Sequence, residues 1–123
     1  MKNNSTSVKI ENRLIGKNYT PYVIAEISGN HNGKIENAID LITAAKEAGA
    51  DAVKIQTYTP DTITIQSERE EFIVKGGLWN GYTLYDLYEK AHTPWHWHKK
   101  LFEHANKIGI TLFSSFSDET AVD

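Results

Sequence analysis

Three polar side chains interrupt apolar stretches that look like buried strands, and each could do chemistry. Residues 22–33, YVIAEISGNHNG, are apolar up to Glu26, and residues 51–57, DAVKIQT, carry Lys54 and Gln56 between apolar neighbours. A carboxylate can accept a proton, an ammonium can bind a phosphate or carboxylate, and an amide can hydrogen-bond a hydroxyl. Charged groups at buried positions are costly unless they are paired or bind a ligand. These residues are therefore the first candidates for a functional site.

The alternation of side chains along a strand predicts where these groups point. Val53 and Ile55 share one face of their strand, and Lys54 and Gln56 share the other. If the apolar pair packs against helices, the polar pair faces the opposite side, where a parallel α/β fold builds its active site at the carboxyl ends of the strands. Two interpretations of Glu26 and Lys54 stay open: an ion pair that only stabilises the fold, and a pair that awaits a ligand.

The elements that must position these groups can be read from periodicity. Residues 21–27 and 51–57 predict strands, and residues 34–50 predict an amphipathic helix between them, with Asn32 as its N-cap and Gly49 as a left-handed C-cap. Asn before a helix and Gly after it are typical of helix ends.

The second half of the chain continues the alternation. Residues 58–82 form a long segment of the kind that is usually functional. A helix pair follows, whose second member spans residues 93–109 with Thr93 as N-cap and Pro94 at its first position. Residues 110–115, ITLFSS, predict a third strand.

Strands that alternate with helices predict a parallel sheet with right-handed crossovers. An open doubly wound sheet and a closed eight-stranded α/β (TIM) barrel both satisfy this pattern. A barrel needs about 250 residues, and the chain has 123. We therefore interpret residues 8–123 as the incomplete N-terminal part of a larger domain. A disordered polar tail at residues 1–7 and a short hairpin around residues 8–19, with a turn at 16–18, precede it.

Composition excludes several classes of function. The net charge of −3 and the lack of a basic run argue against nucleic-acid binding. The sequence has no cysteine, which excludes disulfides and thiolate metal sites. No apolar run approaches the roughly 20 residues that span a bilayer, and the polar start lacks the apolar core of a secretion signal. We expect a cytoplasmic protein.

Three segments, IAEISGNHNG, AAKEAGADAVKIQT and LFSSFSDETAVD, together resemble the N-terminal barrel domain of the sialic acid synthases. The segment GGLWNGYTLYDLYEKAHTPWHWH is more similar to the pseudaminic acid synthase branch than to the N-acetylneuraminate branch. The resemblance covers roughly residues 8–123. It implies an eight-stranded barrel followed by a small antifreeze-like domain that reaches over the partner subunit's site in a homodimer.

The resemblance also implies an activity. Such transferases condense phosphoenolpyruvate with an amino-sugar, here a 2,4-diacetamido-2,4,6-trideoxy hexose, to give a nonulosonic acid of the pseudaminic type and phosphate. They depend on a divalent metal, Mn or Mg, whose histidine ligands lie on later strands. Those ligands are not in this chain, so the chain would hold only part of an active site.

Carried over by position, the resemblance gives Glu26 the role of the carboxylate that orients or deprotonates water. It gives Lys54 the contact with phosphoenolpyruvate, and Gln56 a contact with the substrate. Ser115 lies where relatives carry a sugar-contacting threonine in STPF, although this chain reads SSFS there and lacks the proline. Asn80, in the long segment, is a further candidate for sugar binding.

Other histidines have simpler interpretations. We expect His31 to shape its loop by hydrogen bonding to the backbone rather than to reach the substrate. His96 and His98 are two residues apart and do not share a helix face, so we expect a solvated helix face rather than a metal site.

Three competing functions remain. One is an N-acetylneuraminate or legionaminate synthase of the same family, and another is a sugar-acid aldolase that uses Lys54 as a Schiff base. The third is an inactive folding or interaction module with open sheet edges.

Overall fold

The computed structural model describes residues 7–122. In chain order, the elements are β1 (Val8–Ile10), β2 (Arg13–Ile15), β3 (Ile24–Glu26), α1 (Ile35–Glu47), β4 (Ala52–Thr57), α2 (Pro60–Ile63), α3 (Leu84–Ala91), α4 (His98–Ile108) and β5 (Thr111–Phe116). Short 3-10 turns cover Glu70–Phe72, Trp95–Trp97 and Glu119–Ala121. The predicted tail at residues 1–7 lies outside the described residues, apart from Ser7.

The strands β3, β4 and β5 form one parallel sheet in that order, as the sequence predicted. Ala25 pairs with Val53, and Val53 pairs with Leu112, so residues on one face of the sheet line up across all three strands. The chain thus has an α/β fold with a parallel sheet. Closure into an eight-stranded barrel stays a prediction, because the described residues supply three parallel strands.

Helices α1 and α4 cover one face of this sheet, and the core lies between them. An apolar stripe of each helix is buried there, with Ala38 and Ile42 on α1 and Leu101 and Ala105 on α4. Burial of apolar area is the main stabilising term in such a layer. The opposite face of the sheet carries the alternate side chains of the three strands.

A predicted hairpin precedes the sheet, but its turn differs from our expectation. Strands β1 and β2 pair antiparallel and are joined at Glu11 and Asn12, with Glu11 in a left-handed conformation (φ 51°). The turn at residues 16–18 follows β2 instead of connecting the two strands. The hairpin is held to the sheet by Arg13, whose guanidinium bonds to Asp51 and donates to the Pro21 carbonyl at 2.8 Å. A distant ionic partner therefore helps to decide where this hairpin lies.

The helix starts were predicted less well than the helix ends. Asn32 is not the N-cap of α1: it adopts φ 50° in the loop, and the N-cap is Lys34, without a side-chain cap bond. Thr93 is not the N-cap of α4 either. Its amide donates to the Gln56 carbonyl at 3.4 Å, a 3-10 turn follows at Trp95–Trp97, and the N-cap of α4 is Trp97. Gly49 and Gly109 end their helices with φ 88° and 72°, as predicted.

The long segment after β4 has structure of its own. Residues 73–83, called here the 73–83 loop, form a small antiparallel excursion in which Ile73 bridges Thr83. The Val74 amide donates to the Tyr82 carbonyl, and the Gly81 amide donates to the Val74 carbonyl, both at 2.9 Å. This pairing presents the tip of the loop as a defined surface feature.

Within residues 7–122, none of the helices has both the length and the apolarity that crossing a membrane requires.

Candidate functional site

Glu26 and Lys54 lie side by side on neighbouring parallel strands. They are register partners, and the Lys54 Nζ is 2.8 Å from the Glu26 Oε2. The other carboxylate oxygen, Oε1, accepts the Ser28 amide at 3.1 Å. Each side chain is 33% exposed. A pair this exposed contributes about 1 kcal/mol or less to stability, so stability alone does not explain its presence.

The alternation of β4 places Lys54 where the sequence predicted. Val53 and Ile55 are fully buried in the core beneath the helices. Lys54 and Gln56 therefore lie on the opposite face, together with Glu26 from β3. This face carries polar groups at the carboxyl ends of parallel strands, where ligands bind in α/β folds.

The next row of this face is formed by Gln56 and Ser115, which are register partners on β4 and β5. Two residues along a strand correspond to roughly 6.6 Å, so this row lies about one sugar ring beyond the Glu26–Lys54 row. Within the described part of the chain, neither side chain has a hydrogen-bond partner. Their amide and hydroxyl groups are free to bind a ligand.

A left-handed residue shapes the rim beside Glu26. Ser28 has φ 44°, which is uncommon for a residue with a side chain. This conformation lets the Ser28 amide donate back to Glu26 and so orients the carboxylate. Strained backbone of this kind concentrates at functional sites. The sequence offered no signal for it beyond a loop rich in Asn and Gly.

The arrangement limits what the pair can do. The Lys54 ammonium has three N–H donors and forms an ion pair with Glu26, so it can also bind oxygens of an anionic ligand. Glu26 in its carboxylate form can accept a proton from a water or hydroxyl held beside it. The geometry suits a ligand that carries negative charge at one end and exchanges a proton at the other.

Asn80 lies apart from this group. It is exposed on the 73–83 loop, and its Oδ1 accepts the Gly76 amide at 2.7 Å, which closes the loop tip. Within residues 7–122, the hydrogen bonds of Asn80 are to Gly76 and Gly77 of the same loop. The structure therefore gives this residue a local structural role and does not bring it to the Glu26–Lys54 pair.

An aromatic cleft of about 510 Å³ separates the 73–83 loop from the loop after β3. Trp79 and Tyr82 meet edge to face at 5.4 Å, and the Lys90 ammonium lies 4.4 Å from the centre of the Tyr82 ring. Gly29 and Gly33 line the other side. The aromatic side chains of the 73–83 loop thus face the loop next to Glu26.

His31 is fully buried in that loop and shapes it, as predicted. Its Nδ1 accepts the Gly33 amide at 3.1 Å, and its ring lies edge-on to Trp97 at 5.1 Å. Burial lowers the pKa of His31 below its usual 6.5, because the charged ring would lose its hydration; the Ala91 backbone acts in the opposite direction. The ring is therefore held neutral near pH 7.

The prediction of a solvated face for His98 is wrong. Its Nε2 is 2.6 Å from the Thr57 hydroxyl, and its Nδ1 is 3.1 Å from the Trp95 carbonyl. His96, in contrast, is exposed. Two histidines on one turn thus have different environments, which helical spacing alone could not reveal.

The described residues do not fit a metal ion. Residues 7–122 contain no group of three or more His, Asp or Glu side chains that could coordinate one. The location of metal ligands outside these residues stays a prediction.

The sequence of this chain is similar to those of known proteins. The family model described as NeuB family matches residues 41–123. The chain belongs to the NeuB family. It is 57% identical over 94 residues to the pseudaminic acid synthase of Campylobacter jejuni, and 36% identical over 108 residues to the N,N'-diacetyllegionaminic acid synthase of Legionella pneumophila. These matches cover 76% and 88% of this NeuB family chain.

The fold is also similar to a solved structure of the same kind. The crystal structure of N-acetylneuraminic acid synthetase from Leptospira borgpetersenii, in complex with citrate, matches with a TM-score of 0.75 and 25% identity. The match covers 96% of this chain and 36% of that one. This NeuB family chain spans 27% and 30% of the two curated relatives, less than a third of their length.

Proposed function

We propose that this chain forms part of an enzyme that condenses phosphoenolpyruvate with a 2,4-diacetamido-2,4,6-trideoxy hexose, giving a pseudaminic-type nonulosonic acid and phosphate. The observation that carries the proposal is the Glu26–Lys54 pair at the ends of neighbouring parallel strands, 2.8 Å apart, in a chain with 57% identity to a pseudaminic acid synthase.

The proposed setting is a longer protein, called here the full-length enzyme. In it, residues 8–123 supply the first three strands of an eight-stranded barrel, and later strands complete the site. The proposal includes a homodimer whose partner contributes an antifreeze-like domain. The free edges of β3 and β5 support further strands, since unpaired strand edges are a liability in a stable protein.

The proposed reaction forms one carbon–carbon bond and breaks one carbon–oxygen bond. Carbon C3 of phosphoenolpyruvate attacks the sugar aldehyde, whose oxygen takes up a proton and becomes a hydroxyl. Water adds to the electron-poor C2 and loses a proton. The bond between C2 and the bridging oxygen then breaks, and phosphate leaves with that oxygen.

The residue roles follow from the chemistry of the two rows of the site. Lys54 binds the phosphate or carboxylate of phosphoenolpyruvate as a point charge. Glu26 holds the attacking water and takes its proton. Gln56 and Ser115, one row further out, hydrogen-bond hydroxyl or acetamido groups of the sugar. Asn80 would bind the sugar through its Nδ2 donors, because its Oδ1 already accepts the Gly76 amide.

The family resemblance further suggests a divalent metal, Mn or Mg, which would polarise the aldehyde as a Lewis acid. Its ligands would come from outside residues 7–122. The cytoplasmic location is likewise a prediction from the sequence.

The choice of sugar rests on the relatives. The identity to a pseudaminic acid synthase, 57%, exceeds the 36% to an N,N'-diacetyllegionaminic acid synthase and the 33% to an N-acetylneuraminate-9-phosphate synthase. The resemblance to the pseudaminic branch implies a sugar with two acetamido groups, and we propose that sugar.

The test measures phosphate release by the full-length enzyme with phosphoenolpyruvate and each of two sugars, one with two acetamido groups and one with a single group. We expect the first to be preferred. In ¹⁸O-water, the label should enter the nonulosonic acid and not the phosphate. Release without carbon–carbon bond formation, or label in the phosphate, would disprove the proposed reaction.

A sugar-acid aldolase would instead use Lys54 as a Schiff base. An attacking lysine must be an uncharged amine with a free lone pair, whereas the Lys54 Nζ lies 2.8 Å from the Glu26 carboxylate as its ion-pair partner. Borohydride added with a keto substrate should therefore leave Lys54 unmodified.

A further inference from the structure

A chain of polar side chains lies behind the outer row of the proposed site. Thr57 is the last residue of β4, Ser114 belongs to β5, and His98 is the first residue of α4. The Thr57 hydroxyl oxygen is 2.5 Å from the Ser114 hydroxyl and 2.6 Å from the His98 Nε2. Thr57 is only 4% exposed, so these bonds replace lost contacts with water.

The neighbouring carbonyl groups define the direction of the hydrogens. The His98 Nδ1 faces the Trp95 and Pro94 carbonyl oxygens at 3.1 and 3.3 Å, and both can only accept, so Nδ1 carries the hydrogen. In the neutral ring, Nε2 then accepts from Thr57. Because the Thr57 hydrogen is used there, the 2.5 Å contact between the Thr57 and Ser114 hydroxyls needs the Ser114 hydrogen. The Ser115 and Ile55 carbonyl oxygens, at 2.9 and 3.2 Å from the Ser114 hydroxyl, compete for the same hydrogen.

These bonds are made on the helix-facing side of the strands, directly behind the two outer candidates for ligand binding. Gln56 precedes Thr57, Ser115 follows Ser114, and Gln56 and Ser115 are register partners. An apolar contact would hold the strands together equally well, but directional bonds also restrict how each strand end is placed.

We propose that His98 is a positioning residue for sugar binding: through Thr57 and Ser114 it places Gln56 and Ser115 toward the amino-sugar. The proposal rests on the proposed function. Lys54 and Glu26 lie one row deeper, next to the fully buried Val53. The network should therefore affect the sugar much more than phosphoenolpyruvate.

The test uses the full-length enzyme with four substitutions in the network and one control substitution outside it. His98→Asn keeps a donor near the Trp95 carbonyl but loses the acceptor for Thr57, whereas His98→Gln places an amide oxygen within reach of Thr57. Thr57→Val removes the hydroxyl at nearly constant shape, and Thr57→Ser keeps the hydroxyl. His96→Asn, on the exposed neighbour, is the matched control.

We expect His98→Asn and Thr57→Val each to raise KM for the sugar roughly 10-fold, since small misplacements of binding groups are costly. The KM for phosphoenolpyruvate should change less than about twofold, within the scatter expected of an uncoupled site. His98→Gln, Thr57→Ser and His96→Asn should stay near wild type. The double variant His98→Asn/Thr57→Val should have a KM for the sugar no higher than that of Thr57→Val alone, because both changes break the same hydrogen-bond network.

The outcomes separate this inference from the proposed function. A wild-type enzyme that releases no phosphate from phosphoenolpyruvate and the sugar would refute the proposed function, and this inference with it. An active wild type whose variants only lose thermal stability, or fail to fold, would show a purely structural network and overturn this inference alone. Equal changes in KM for both substrates would also overturn it.

Discussion

Gly29 lies against Ala91, where the loop after β3 meets the end of α3. A methyl group at position 29 would come within 2.7 Å of the Ala91 Cβ and 3.1 Å of its carbonyl oxygen. Contacts below 3.0 Å are not tolerated without a shift of the backbone or the neighbouring side chain. The loop beside Glu26 can therefore approach the end of α3 this closely only because position 29 has no side chain.

We predict that Gly29→Ala lowers the Tm of the full-length enzyme by several degrees, because overpacking costs about 1–3 kcal/mol. Ala91→Gly removes the Cβ that would clash. Combined with Gly29→Ala, it should destabilise less than the sum of the two single changes. Additive losses in thermal unfolding would show that this contact does not limit the loop.

Lys54→Ala in the full-length enzyme should weaken binding of phosphoenolpyruvate more than binding of the sugar. The loss should be about 10-fold or more, because a charge-assisted hydrogen bond contributes roughly 1.5–3 kcal/mol. Calorimetric titration with each substrate measures the two losses. Lys99→Ala, on an exposed part of α4, is the control. Equal losses for both substrates would count against the role of Lys54.

Glu26→Gln keeps the size of the side chain and an oxygen for the Ser28 amide, but it cannot accept a proton as a carboxylate does. We expect kcat to fall roughly 100-fold or more, the usual range for loss of a general base. The KM for the sugar should change little. Steady-state kinetics measure kcat and KM separately. A kcat within a few-fold of wild type would exclude Glu26 as the base.

The buried ring of His31 makes stability depend on pH. Because burial lowers its pKa in the folded protein, the unfolded chain takes up a proton first as the pH falls below about 6.5. The folded state should lose stability below that pH, by at most about 1.4 kcal/mol per pH unit for one proton. Above pH 6.5, both states are neutral and this contribution is constant.

His31→Asn should remove that part of the pH dependence while keeping an acceptor for the Gly33 amide. Unfolding midpoints between pH 7.5 and 5.5 should fall less steeply for this variant than for wild type. His96→Asn, at an exposed position, should retain the wild-type slope. Parallel slopes for wild type and His31→Asn would show that His31 does not titrate differently on folding.

We also predict that the 123-residue chain alone has no synthase activity, because it supplies only part of the proposed site. Incubation with phosphoenolpyruvate and the amino-sugar, followed by a phosphate assay, tests this. The full-length enzyme under the same conditions is the positive control. Condensation by the isolated chain would refute the proposal that later strands complete the site.

The sequence by itself determined the α/β alternation, the faces of the strands and the helix ends. The parity of Val53 and Lys54 on β4 follows from a period of two, and the left-handed Gly49 and Gly109 follow from a conformation that other residues avoid. Such features depend on a few consecutive residues, so they can be read without knowing what lies opposite. For the same reason, the candidate groups Glu26, Lys54 and Gln56 could be named from their strands alone.

Only the tertiary structure decided which distant groups became partners. In the folded chain, Thr57 contacts His98, Gly29 lies against Ala91, and Asp51 binds Arg13 of the hairpin. The N-cap of α1 is Lys34 instead of the predicted Asn32. Local patterns leave several partners possible for a histidine or a loop amide. The choice among them depends on the packing of segments far apart in the sequence, which satisfies the buried polar groups of all of them together.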